Sequence, residues 1–263
     1  MLLEDKVAVI YGAGGAVGRA VALAFAREGA TLFLTGRHAA SVEGLAREIN
    51  ATGESAEAEV LDALDGEGID KHLDAVIAKA GRIDISFNAV GIRNTHLQGV
   101  PLVGLDVEEF VRPIETYARS YFLTSRLAAR RMVAKRAGVI MTVTSTPSRT
   151  GIPLMGGVGP AMAAVEQLTR NLSAELAPNG IRVLGLRPTG MPESDTIQEV
   201  FALHANAWGI GWEQFRELIA ARSHGKRLST LTEMASVAAF MASDRASGMT
   251  GTVVNLSLGA LDD

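Results

Sequence analysis

A short apolar run, Lys6–Tyr11, breaks into Gly12-Ala13-Gly14-Gly15-Ala16-Val17-Gly18, and an amphipathic stretch opens directly behind it. No other segment constrains the fold as tightly. A chain that passes from strand to helix in so few residues needs glycine for the turn, and glycine also lets backbone approach a bound group closely. The helix that follows offers free N–H groups and the positive end of its dipole, which together hold phosphate. Gly12, Gly14, Gly15, Val17 and Gly18 are therefore candidates to cradle the pyrophosphate of a dinucleotide. A plain strand-to-helix turn is the competing reading, and placement after the first strand favours the cradle.

The remainder of the 263-residue chain repeats this strand–helix rhythm. Residues 6–11, 31–35, 83–88, 139–144, 181–186 and 252–256 are apolar nearly throughout, as strands covered on both faces should be, and a weaker strand fits 55–60. Helices are expected over 16–28, 42–51, 69–80, 107–136, 160–177 and 233–243. Gly29, Gly81, Gly138 and Gly180 each fall just past a helix end, where a left-handed cap favours glycine. The alternation predicts βαβ units and a parallel sheet, an α/β fold in one domain. The one break in rhythm is 189–227, an insertion carrying Phe201, His204, Trp208, Trp212 and Phe215; it reads as a lid or an excursion of two helices. Trp208 and Trp212, four apart, are expected on one apolar face of a lid helix.

Composition narrows the function. The formal charge of −4 argues against a nucleic-acid or polybasic membrane partner, and the absence of cysteine excludes disulfides, thiolate metal sites and a cysteine nucleophile. No His-x3-His or carboxylate cluster at ligand spacing suggests a metal. No apolar stretch approaches the ~18–20 residues of a membrane span. The amino terminus, with Glu4, Asp5 and Lys6 ahead of a five-residue apolar run, is no signal peptide. A cytoplasmic protein acting on a small molecule is the expectation.

About 20 residues beyond the glycine turn, a NAD site usually places a carboxylate for the ribose 2′-hydroxyl. Here the sequence is Thr35-Gly36-Arg37-His38, without an acid. Arg37 could pair with a 2′-phosphate through its planar fork of donors, or stand solvated at a strand end; the first reading favours NADP(H).

By this point the residues resemble the short-chain dehydrogenase/reductase family, from Lys6 to Gly259. Gly12, Gly15 and Gly18 match its glycine-rich turn, with Ala16 in place of the middle glycine and Tyr11 in place of the usual threonine. Asp62 stands where the family has an aspartate near adenine, and Asn88-Ala89-Val90-Gly91 resembles its Asn-Asn-Ala-Gly segment. Thr144-Ser145 ends the fifth strand, and Pro188-Thr189 is similar to its Pro-Gly turn. The resemblance implies a doubly wound, seven-stranded parallel sheet of order 3-2-1-4-5-6-7, Rossmann-like, and a homodimer or homotetramer built on the fourth and fifth helices. It places Asn88 near the nicotinamide ribose and Pro188 and Met191 near the carboxamide.

The catalytic signature departs from the family. The family serine falls on Ser145, but the tyrosine expected 13 residues later is Val158 and the lysine four beyond it is Met162. The supporting asparagine of the fourth helix falls on Tyr117. No local shift restores the pair, because the only tyrosines are Tyr11, Tyr117 and Tyr121 and no lysine lies between Lys135 and Lys226. Loss of a positioned general acid lowers rates by about 10²–10⁴-fold, so ordinary ketone reduction is not expected.

The expected function is an NADP(H)-dependent oxidoreductase with a non-standard site, acting on an activated C=C or C=N or a small carbonyl compound. Ser145 and Tyr117 are the catalytic candidates. Ser145 could equally satisfy strand-end backbone, and Tyr117 with Tyr121 could be core or interface aromatics. His96, His204 and His224 are further candidates that could equally be solvated. Two alternatives stay open: a cofactor-binding but silent structural or regulatory protein, and a cofactor-free lyase or dehalogenase on the same scaffold.

Overall fold

The computed structural model describes residues 1–262. Seven strands form one parallel sheet: β1 (Val7–Tyr11), β2 (Thr31–Gly36), β3 (Ala56–Val60), β4 (Ile85–Asn88), β5 (Gly138–Val143), β6 (Ile181–Pro188) and β7 (Val253–Leu256), in the order β3-β2-β1-β4-β5-β6-β7. Position in the sheet explains composition. β1 and β4 are buried at every residue; β1 therefore reads as an unbroken apolar run, while β4 buries Ser86 and Asn88 among its apolar residues. β3 lies at one edge and alternates Ala-Glu-Ala-Glu, with both glutamates exposed or half-buried, so its signal is weaker.

Among the described residues eight α-helices connect and cover the strands: α1 (Ala16–Arg27), α2 (Ala39–Asn50), α3 (Gly66–Ala80), α4 (Val107–Lys135), α5 (Val158–Leu176), α6 (Asp195–Trp208), α7 (Trp212–Ala221) and α8 (Leu231–Ala242). On one face, Phe25 of α1, Leu45 of α2 and Met234 of α8 pack on Ile10, Leu32 and Leu184. On the other, Leu73 of α3 and Leu127 and Ala128 of α4 pack on Val9, Ile140 and Val183. This is the doubly wound α/β arrangement, and it closes without a second core domain.

Three helix ends stop as the sequence predicts, with Gly29, Gly81 and Gly180 in left-handed conformation. Gly138 does not. Arg136 takes the left-handed turn after α4 at φ 50°, and Gly138 instead opens β5, where a Cβ would run into the Met132 side chain. The glycine there permits close helix–strand packing. The long insertion holds α6 and α7, and Trp208 and Trp212 do not share a helix. Gly209, at φ 67°, ends α6 right after Trp208, and Trp212 begins α7. Phe201, Trp208 and His204 instead gather around Phe215, with ring centroids 5.3 Å apart for Phe201–Phe215, and Trp212 packs on Phe201 at 6.1 Å.

The strand order reverses between β1 and β4, so connections leave these neighbours in opposite directions and a crevice opens beyond their carboxyl ends. Tyr11 pairs with Thr35 on one side and Asn88 on the other, which brings three strand ends to that point.

Candidate active site

A cleft of about 900 Å³ occupies that crevice, lined by the ends of β2, β5 and β6 and the loops behind β1 and β4. Its floor is the glycine turn. Gly12 sits at φ 71°, and a Cβ there would lie 2.8 Å from the Ala89 carbonyl oxygen. A Cβ at Gly18 would strike the Gly12 carbonyl, so this glycine lets α1 seat against β1. Gly14 abuts Ser41 of α2, whereas a Cβ at Gly15 would find its nearest neighbour only at 3.5 Å. Gly12, Gly14, Gly15 and Val17 line the cleft; Gly18 stands behind it and shapes it. No side chain caps α1 and its first turn holds no acid, so the orphan N–H groups there face the cleft unneutralised. These residues fit a pyrophosphate.

Arg37 follows β2 on the cleft rim, exposed, with no hydrogen-bond or ion-pair partner among the described residues. His38 and Ser41 line the same corner. Asp62, also exposed, accepts a hydrogen bond from the Leu64 N–H at 3.0 Å through one carboxylate oxygen, and lines the same end. Asn88 is buried away from the cleft: its amide donates to the Thr124 hydroxyl at 3.0 Å and accepts from the Val90 N–H at 2.9 Å. It fixes the loop after β4 to α4. Pro188 and Met191 both line the cleft.

The opposite half is built from β5, α4 and α5. Ser145 is half-buried, opens the short helical turn Thr146–Ser148, and makes no side-chain bond there. In the same half, Tyr117 packs with Val158 and Met162 of α5 and Leu97. Burial pushes the Tyr117 phenol up to about 12, with the Ile92 backbone and the Arg112 guanidinium pulling it partly back. Tyr121 is committed to structure. Its hydroxyl donates to the Val143 carbonyl at 2.8 Å and reaches the Asn88 carbonyl at 3.2 Å, tying the ends of β4 and β5. Burial holds its pKa well above the ordinary tyrosine value. α5 thus presents Val158 and Met162 to the cleft, and neither can transfer a proton or carry charge.

None of the three candidate histidines lines the cleft. His96 is exposed at φ 65°, and the His224 ring lies against Gly259. His204 is buried within the lid, its Nε2 3.1 Å from the Gln98 amide oxygen and its Nδ1 without a partner among the described residues. Burial lowers its pKa. Among the described residues there is no group of three side chains placed to hold a metal ion, and no helix long and apolar enough to cross a membrane.

A second buried feature anchors the turn that follows Ser145. Glu166 of α5 accepts from Arg187 Nε of β6 at 2.7 Å, Ser148 Oγ at 2.5 Å and Arg170 at 3.1 Å. Both Glu166 and Arg187 are almost wholly buried. Burial alone would raise the Glu166 carboxyl, but the Arg187 guanidinium and the Ser148 hydroxyl outweigh it and hold the group below its usual range. The network pins the Thr146–Ser148 turn, and with it Ser145, to the core. Sequence reasoning missed it, although two signals were present: a charged residue inside an apolar strand, and a carboxylate at the next i+4 step after Val158 and Met162.

Known proteins place this architecture. A family model described as enoyl-(acyl carrier protein) reductase matches residues 12–260. A 3-oxoacyl-(acyl carrier protein) reductase of Thermotoga maritima is 29% identical over 259 residues, covering 98% of this chain and 99% of that protein. An A-factor type gamma-butyrolactone 1′-reductase of Streptomyces virginiae is 30% identical over 255 residues, covering 96% of this chain and 94% of that one. The crystal structure of NAD+-bound xylitol dehydrogenase superposes with a TM-score of 0.91 at 25% identity, covering 97% of this chain and 99% of the other. The chain belongs to the short-chain dehydrogenase/reductase family of oxidoreductases.

Proposed function

We propose that the protein is an NADP(H)-dependent oxidoreductase that works without the family's tyrosine–lysine pair. The observation that carries this reading is the contrast within one cleft: an open glycine cradle and an unpartnered Arg37 at one end, Ser145 and Tyr117 facing Val158 and Met162 at the other. When bound, the nicotinamide would supply or accept hydride. The α1 N–H groups and Gly14–Gly15 backbone would hold its pyrophosphate, Arg37 the 2′-phosphate, Asp62 the adenine end, and Pro188 with Met191 the carboxamide end.

The protein's own residues then stabilise charge and do not relay protons. A phenol with its pKa raised to about 12 keeps its proton throughout the physiological range. Tyr117 and Ser145 would therefore donate hydrogen bonds to a substrate oxygen that becomes negative as hydride arrives. That suits an enone, whose charge develops on an enolate oxygen away from the reacting carbon and whose α-carbon then takes its proton from water. An iminium becomes a neutral amine on hydride transfer and needs no donor, and a plain ketone, whose alkoxide needs a proton at once, is suited least. The test is NADPH oxidation against enone, iminium and ketone panels. Turnover of an enone should fall about tenfold or more in Tyr117→Phe or Ser145→Ala. If both variants turn over as fast as wild type, these two residues are not the donors.

Val158 and Met162 also favour a second reading, a cofactor-binding protein without turnover. NADPH binding with no oxidation on any panel supports it. A homodimer or homotetramer through α4 and α5 is part of the proposal: Val107, Val111 and Phe122 leave apolar surface exposed along α4, and sedimentation velocity reads the assembly directly.

A further inference from the structure

The charge lining the cleft runs against the charge of the molecule. Acids outnumber bases 29 to 25 over the whole chain, yet the cleft is lined by Arg37, Arg93, Arg112 and Arg222, and among the described residues Asp62 is its only carboxylate. Arg37 and Asp62 belong to the adenine end of the proposed cofactor site. The other three arginines stand on different elements: Arg93 in the loop after β4, Arg112 on α4, Arg222 just past α7.

These arginines differ in how they are held. Arg112 is paired with Glu109 and donates to the Arg93 carbonyl at 3.0 Å, so it braces the loop that carries Arg93. Arg93 and Arg222 are exposed, and neither side chain has a hydrogen-bond or ion-pair partner among the described residues. The nearby Glu199 carboxylate is spent elsewhere, accepting from the Asn94 and Thr95 N–H groups and the Thr95 hydroxyl, which stitches the same loop to α6. The same cleft is lined by apolar, adaptable side chains, Met155, Met162, Met191, Ile197 and Phe201 among them.

We infer that the substrate is an amphipathic anion: an apolar body seated among the methionines, with a carboxylate or phosphate held by Arg93 and Arg222. Unpaired guanidinium groups at the mouth of an apolar cavity recognise such a group by charge-assisted hydrogen bonds, and they steer it in from solvent. The inference rests on the proposed function only in assigning the Arg37 end of the cleft to the dinucleotide.

The test uses decanoate, decyl phosphate and decanol as probes, titrated into the full-length protein with and without saturating NADPH. Decanoate or decyl phosphate should bind about tenfold or more tighter than decanol. That advantage should disappear in Arg93→Gln/Arg222→Gln, which leaves NADPH affinity unchanged. A preference for one anion over the other names the headgroup. Equal binding of decanoate, decyl phosphate and decanol overturns the inference, as does an anion advantage that survives the double substitution. Displacement of the anionic probe by NADPH also overturns it, while leaving the cofactor reading intact. If NADPH fails to bind but the anion advantage still depends on Arg93 and Arg222, the cofactor reading falls and the anion site stands.

Discussion

The two ends of the cleft rest on strand ends of one sheet, with β4 between them, yet they are equipped in different ways. At the β1–β2 end, binding capacity resides in backbone: Gly12 and Gly18 are held by contacts that leave no room for a Cβ, and the N–H groups of α1 point outward whatever side chains follow. At the β5–α5 end, capacity for proton transfer would have to reside in side chains, and α5 offers Val158 and Met162. A backbone site cannot be lost without damage to the fold, because the glycines that make it also seat the first helix on the first strand. A side-chain site can be replaced residue by residue over an unchanged scaffold, and at this end the scaffold is firmly built: the Glu166–Arg187 pair still anchors the turn bearing Ser145.

The comparison is broken most forcibly by re-equipping the poorer end. The triple variant Tyr117→Asn/Val158→Tyr/Met162→Lys installs the family residues at the positions the resemblance aligns. Ketone reduction with NADPH, measured by nicotinamide absorbance, should rise by about 10²–10⁴-fold, the worth of a positioned general acid. No gain would mean that α5 is displaced from a working geometry and not merely lacking the residues. Next in size is Arg187→Met, which leaves Glu166 buried without its principal partner. Thermal or chemical unfolding should show a loss of about 3–5 kcal/mol, whereas a loss below about 1 kcal/mol would show that the anchor of the turn after Ser145 carries little.

The smallest effect concerns the lid. Burial lowers the His204 pKa below the ordinary 6.5, so the folded protein resists a proton that the unfolded chain accepts. Stability from this group is complete above 6.5 and is lost as pH falls through and below that value, by at most about 1.4 kcal/mol per pH unit. Unfolding curves of wild type and His204→Gln should therefore converge as pH drops from 7 to 5. Parallel curves would show that His204 does not titrate with folding.

Much of the fold was readable because its central strands are buried on both faces and three of its predicted helix ends stop on glycine. The edge strand β3 was the faintest for a physical reason, since one of its faces meets water and alternates. Gly138 misled because a glycine after a helix can serve close packing as well as capping. Trp208 and Trp212 misled because Gly209 cuts the helix between them. At the site, the glycine turn and Arg37 were picked out by motif and spacing and Asp62 and Ser145 by the family resemblance, and the fold brings them to one cleft. The Glu166–Arg187 pair and the set of arginines lining the cleft were not. Each joins residues far apart in the chain, and only the fold brings them together.

The central claim is that the glycine cradle and Arg37 still form a working NADP(H) site beside a catalytic helix without a proton donor. A fluorescence titration of wild type and Arg37→Ala with NADPH and NADH tests it most directly. Wild type should bind NADPH in preference to NADH, and Arg37→Ala should reduce that preference by about 10–100-fold, the worth of charge-assisted hydrogen bonds to a phosphate. Binding of neither nucleotide, or a preference untouched by Arg37→Ala, would contradict it.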